Sequence, residues 1–206
     1  MAHSDEAEKY SAAAFATKHE DAIYFSKRVT RAVPDGDPIE AHTDLVKKLD
    51  YECELAVVLG KDARDVPAGQ TRDYIFGYTI LNDVSARDVQ TAHKQWYFGK
   101  SLDGFTPIGP CIVTADAFAD YPPRLGIRSF VNGEKRQDSN TALQIFDIDH
   151  VIAELSQGMT LKAGTIIATG TPAGVGMGMD PPQFLKPGDV VRCEIDGIGT
   201  LTNPVK

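Results

Sequence analysis

Apolar residues recur along this chain in short runs of strand length, broken by turns rich in glycine and proline. Strict alternation or β-branched and aromatic enrichment predicts strands over residues 22–29, 49–59, 74–81, 108–114, 127–131, 165–169, 190–195 and 199–202. Asn132-Gly133 follows one of them and signals a hairpin turn. Helical spacing is scarcer. His3 to Lys18 reads as a helix that Ser4 can cap, with acids in its first turn and alanines after. A second helix is expected after Asn82 or Asp83, carrying Arg87 and Gln90 one turn apart. A third, capped by Asp147 or Asp149, should run through Leu155 and close near Gly158. The pattern gives an α+β, β-dominated fold in one domain spanning residues 1–206, with no internal repeat or linker.

One run departs from this pattern. Leu49-Asp50-Tyr51-Glu52-Cys53-Glu54-Leu55-Ala56-Val57-Val58-Leu59 places two carboxylates, one residue apart, inside an apolar strand. Alternate strand residues share a face, so Glu52 and Glu54 project together beside the core. Two such anions repel and lose hydration unless a cation or a proton lies between them. Asp83, at the end of the apolar segment 74–81, supplies a third oxygen ligand. Three carboxylates without histidine or cysteine suit Mg²⁺ or Mn²⁺, with Ca²⁺ also accommodated, better than Zn²⁺. The competing reading puts both glutamates on the solvent face of an edge strand.

Composition narrows the function classes. The 206 residues carry 42% hydrophobic and 24% charged residues, the balance of a water-soluble globular protein, and a formal net charge of −8. That charge disfavours nucleic acid and anionic membrane as partners. No apolar run is long enough to span a bilayer as a helix, and residues 1–6 lack a basic-then-apolar leader, which points to the cytoplasm. Cys53, Cys111 and Cys193 are widely spaced in strand-like segments and are expected as buried, reduced thiols. The glycine-rich stretch Gly174 to Gly178 lacks the ending of a phosphate loop and the spacing of a dinucleotide fingerprint.

Four segments, in order along the chain, resemble signatures of the fumarylacetoacetate hydrolase family. They are Tyr51 to Val58 with its Glu-x-Glu, Gly77 to Gln90, Gln95 to Phe105, and the turn Thr169-Gly170-Thr171-Pro172-Ala173-Gly174-Val175-Gly176. The resemblance covers residues 25–205 and implies a mixed β-sandwich roll with short helices, assembled as a homodimer. It implies Glu52, Glu54 and Asp83 as divalent-metal ligands. Lys100 matches a lysine that holds substrate oxygens or stabilises developing negative charge. Arg87 and Gln90 match groups lining the same pocket, and Thr171 matches a threonine that binds a substrate carboxylate. Without the resemblance, Arg87 and Lys100 read as surface charges.

His3-Ser4-Asp5-Glu6 matches the His-x-x-Glu part of a longer motif in the branch acting on smaller substrates. At helical spacing Glu6 can meet His3 and polarise it, and the resemblance implies that this pair activates water. The extension that usually precedes this domain in the family is expected to be absent. The implied reaction is metal-assisted hydrolysis of a C–C bond in an acylpyruvate-like 2-oxo acid, with His3 as base and Lys100 stabilising an enolate. Oxaloacetate decarboxylation and isomerisation of 2-hydroxy-diene dioates use the same parts. A non-catalytic protein that binds 2-oxo acids is the alternative from another class.

Overall fold

A computed structural model of the protein describes residues 21–206. The helix expected over His3 to Lys18 lies outside the described residues, as do His3 and Glu6. Among the described residues there are ten strands: β1 Leu49–Asp50, β2 Cys53–Leu59, β3 Ile75–Asn82, β4 Ser85–Ala86, β5 Ile108–Thr114, β6 Gly126–Val131, β7 Glu134–Asn140, β8 Ile166–Ala168, β9 Val190–Ile195 and β10 Gly199–Pro204. Three short helices join them: α1 Arg87–Ala92, α2 Tyr97–Lys100 and α3 Ile148–Leu155. The fold is β-dominated, as the alternation predicts.

Two four-stranded antiparallel sheets face each other across the core, in the orders β5-β3-β2-β8 and β10-β9-β6-β7, and β1 with β4 forms a small third sheet. Leu55, Val57, Leu59, Tyr78 and Ile80 from the first sheet meet Ile127, Val191, Cys193, Ile195 and Leu201 from the second in one buried cluster. Burying large apolar side chains at about 1.5–3 kcal/mol each is the main force holding the sheets together. Val33 with Pro107 and Ile39 with Val205 form isolated parallel bridges that tie the early chain to both sheets.

Several boundaries follow local chemistry. At the β6–β7 turn, Asn132 at φ 53° and Gly133 at φ 85° supply the two positive angles of a tight hairpin. Asp147 caps α3 by accepting from the His150 N–H at 2.8 Å.

Three expectations need correction. Residues 22–29 form no strand; the segment is irregular, with Ile23, Tyr24, Phe25 and Val29 exposed. The run 49–59 is not one strand, because the chain leaves the small sheet after Asp50 and joins the large one at Cys53. Asp50 explains the break: its Oδ1 accepts from the Tyr51 N–H at 2.9 Å, so that donor is spent locally. Finally, Cys111 is exposed, whereas Cys53 and Cys193 are buried, and all three are free thiols.

Candidate metal and oxo-acid site

Strand register builds the centre of the site. In the β2–β3 pair Cys53 faces Asn82 and Glu54 faces Leu81. One residue further the ladder continues: the Asp83 N–H donates to the Glu52 carbonyl at 2.8 Å, and Asn82 Oδ1 accepts from the Glu52 N–H at 2.9 Å. Asp83 is therefore held directly opposite Glu52, with Glu54 two residues along on the same face. β2 lies between β3 and β8, so it is not an edge strand. Glu52 is 8%, Glu54 3% and Asp83 2% exposed, which removes the solvent-face reading. One oxygen from each of the three carboxylates lies within 4.8 Å of the others.

Cations converge on two of these acids. Lys100, the last residue of α2, places its Nζ 2.8 Å from Glu52 Oε2 and 2.7 Å from Asp83 Oδ2. Its approach depends on Gly99, where a Cβ would lie 2.7 Å from the Gln90 nitrogen and 2.9 Å from the Ala86 oxygen. Only a glycine lets α2 pack this closely against the start of α1. Arg87, at the head of α1, sets Nη1 2.6 Å from Glu52 Oε1 and 3.3 Å from Gln90 Oε1. Lys27, from the irregular segment, lies 2.6 Å from Asp83 Oδ1. Neither Arg87 nor Lys100 is a surface charge, at 5% and 2% exposure.

Electrostatics separates the third acid from the other two. Burial pushes the Glu52 carboxyl up, but Lys100 and Arg87 outweigh it and hold the group below its ordinary value. Asp83 is held well below its ordinary value, because Lys100 and Lys27 likewise overcome burial. Burial opposes the charge on Lys100, yet Asp83 and then Glu52 keep its pKa above the usual lysine value. Glu54 differs: its Oε2 accepts from the Gly170 N–H at 2.7 Å, and neither lysine is placed on it. Burial, then the charges of Asp83 and Glu52, push it up to about 8.

Two further residues, which sequence reasoning passed over, hold the frame. Asp50 is fully buried and accepts from Gly176 N–H at 2.8 Å, Met177 N–H at 2.9 Å and Arg87 Nε at 2.9 Å. It thus anchors both the glycine-rich turn and the guanidinium. Gln137 on β7 reaches across to the other sheet: its Oε1 accepts from the Cys53 N–H at 3.2 Å, and its Nε2 donates to Thr171 Oγ1 and the Pro172 carbonyl, both at 2.7 Å. The Thr171 hydroxyl donates to the Cys53 carbonyl at 2.9 Å. Its single proton is spent there, so any hydrogen bond it gives to a substrate carboxylate must replace that one.

The donor set fits a divalent cation. Three carboxylate oxygens at close range, one of them on the acid that burial leaves poorly compensated, form a hard-ligand cluster that a divalent ion would neutralise.

Comparison with known proteins agrees with this geometry. The family description "fumarylacetoacetate hydrolase C-terminal" matches residues 1–206. The chain is 46% identical over 186 residues to oxaloacetate tautomerase YisK of Bacillus subtilis (strain 168), covering 90% of this chain and 62% of that protein. It therefore spans less than two thirds of that curated relative's length. Among solved structures, fumarylacetoacetate hydrolase from the psychrophile Exiguobacterium antarcticum superposes with a TM-score of 0.90 at 47% identity, over 100% of this chain and 72% of that one. The 5-carboxymethyl-2-hydroxymuconate delta-isomerase of Mycobacterium smegmatis gives a TM-score of 0.80 at 41% identity, over 90% and 70% respectively. Collinear motifs, sheet topology and full-length match together establish that this chain belongs to the fumarylacetoacetate hydrolase family.

Proposed function

We propose that the cluster binds a divalent cation and a small 2-oxo acid, and that it catalyses keto–enol proton transfer on that acid. The observation that carries this reading is the convergence of Glu52, Glu54 and Asp83 within 4.8 Å beside a buried ammonium that bridges two of them. The names of two relatives, a tautomerase and a delta-isomerase, describe reactions of this class.

Glu52, Glu54 and Asp83 would hold the ion, with Mg²⁺ or Mn²⁺ suited to all-oxygen ligation. When bound, such an ion supplies Lewis-acid polarisation of the 2-oxo group and so acidifies the adjacent carbon. Lys100 keeps its charge in this buried setting and stabilises the negative oxygen of the enolate. Arg87, fixed by Asp50 and Glu52, pairs with the substrate carboxylate, and Gln90 fixes the guanidinium by its own hydrogen bond. Thr171, in the turn after β8, would bind the remaining acidic end by giving up its hydrogen bond to the Cys53 carbonyl. His3, oriented by Glu6, moves the proton; both lie outside the described residues.

Hydrolysis of a C–C bond in an acylpyruvate-like substrate is the second reading. It is favoured by the similarity to the Exiguobacterium protein, which is named a hydrolase, and it passes through the same kind of enolate. The test is a panel of oxaloacetate, an acylpyruvate and a 2-hydroxy-diene dioate, followed by proton NMR with Mg²⁺, with Mn²⁺ and after chelation. Keto–enol exchange that stops on chelation supports the proposal. Cleavage of the acylpyruvate without accelerated exchange supports hydrolysis, and indifference of every reaction to chelation overturns the cation site.

A further inference from the structure

Asp83 meets a lysine Nζ on each oxygen; burial lowers the Lys27 pKa, and the facing Asp83 charge opposes that and favours the ammonium. Lys100 holds Oδ2 at 2.7 Å and Lys27 holds Oδ1 at 2.6 Å. The two lysines are not equivalent. Lys100 bridges Asp83 to Glu52 from the end of a helix, with its side chain 3% exposed. Lys27 is 12% exposed and, among the described residues, touches Asp83 alone of the carboxylates, with a second, longer bond to the Val84 carbonyl at 3.3 Å. It reaches the site from an irregular segment that is pinned on either side. There, Phe25 packs edge-on against Trp96 with ring centroids 5.2 Å apart, and the Arg28 N–H donates to Ser101 Oγ at 3.0 Å.

An ammonium on a carboxylate oxygen lowers the charge that oxygen offers to a cation, and it repels a divalent ion directly. We propose that Lys27 sets the affinity of this site for its divalent cation by competing with it for Asp83, a charge-setting role beyond the ligands themselves. The inference rests on reading Glu52, Glu54 and Asp83 as a cation site. Loss of Lys27 leaves Asp83 oriented, because Lys100 still holds Oδ2 and the Asp83 backbone stays in the β2–β3 ladder. Removing the charge therefore strengthens the ligand without loosening it. A purely structural pin behaves in the opposite way, since removing it weakens binding.

The two roles separate in a titration of free Mn²⁺ by electron paramagnetic resonance, using the full 206-residue chain and no substrate. Lys27→Met and Lys27→Gln should each bind Mn²⁺ about tenfold more tightly than the wild type, the effect of one nearby unit charge on a divalent ion even under strong screening. Lys27→Arg keeps the charge and should bind within about twofold of the wild type, a margin well below that unit-charge effect. Equal or weaker binding by both neutral variants, with a wild type that binds through Glu54, overturns the role of Lys27 alone. A wild type that binds no Mn²⁺, or binds it as well after Glu54→Gln, overturns the cation site and this inference with it.

Discussion

Arg87 Nε donates to Asp50 Oδ2 at 2.9 Å, and the two side chains are 6% and 0% exposed. The same carboxylate accepts the N–H groups of Gly176 and Met177, so one buried anion sets the guanidinium and the glycine-rich turn relative to each other. Removing one partner of a buried ion pair costs about 3–5 kcal/mol. Asp50→Ala is expected to lower stability by an amount in that range, measured by urea unfolding. Arg87→Met breaks the same buried pair, and so should also lose stability, but it spares the turn; the loss that distinguishes it should be in substrate binding, read as a raised KM.

Glu54 predicts how pH acts on the site. Its pKa, pushed up to about 8, means that the folded protein without a bound ion holds a proton there that the unfolded chain has released. Between the ordinary carboxylate value and about 8 the folded state binds more protons, so this group favours folding at low pH and its contribution is lost as pH rises toward 8. A cation must displace that proton. Mn²⁺ affinity should therefore rise by about tenfold per pH unit from 6 toward 8 and flatten above, whereas Glu54→Gln should show a much shallower profile. Isothermal titration across that range checks the slope.

Backbone conformation makes the glycine-rich turn intolerant of side chains. Gly174 sits at φ +105°, and a Cβ there would lie 2.0 Å from the Arg136 carbonyl oxygen. Gly158, at φ +70°, has nothing within 4 Å of the corresponding position. Gly174→Ala should lower the thermal midpoint by far more than Gly158→Ala, whose cost is about 1 kcal/mol of left-handed strain.

Gln137 and Thr171 act as one unit. Gln137 Nε2 donates to Thr171 Oγ1, and both side chains close on the backbone of Cys53, the residue between the two glutamates. A double-mutant cycle with Gln137→Leu and Thr171→Val should give a coupling energy of about 1 kcal/mol or more in unfolding experiments. Simple additivity would show that the contact contributes nothing beyond its parts.

Much of this was legible in the residue pattern. The Glu52/Glu54 spacing gives a shared face, and Asp83 at the end of the apolar segment 74–81 was legible as a third ligand, though its place directly opposite Glu52 came only from the β2–β3 register. Strands such as Ile108–Thr114 and Val190–Ile195 emerged with their observed limits, because alternation and turn residues agree there. Lys27 was not legible: its segment reads as a strand by composition, yet its apolar side chains stay exposed and its lysine turns inward to a charge distant in sequence. Asp50 and Gln137 were hidden for a related reason. Each is an ordinary polar residue until the fold brings N–H donors from 37 to 127 residues away, backbone and guanidinium alike, to within bonding distance. The helix expected after Asp83 begins only at Arg87, since Ser85 and Ala86 first pair with Leu49 and Asp50.

The central claim is that Glu52, Glu54 and Asp83 together hold a divalent cation. Anomalous diffraction from crystals of the protein grown with Mn²⁺ tests it most directly. A single strong manganese peak within ligand distance of one oxygen from each of the three carboxylates is the predicted result. Manganese bound elsewhere on the protein, with no peak among these three acids, would contradict it.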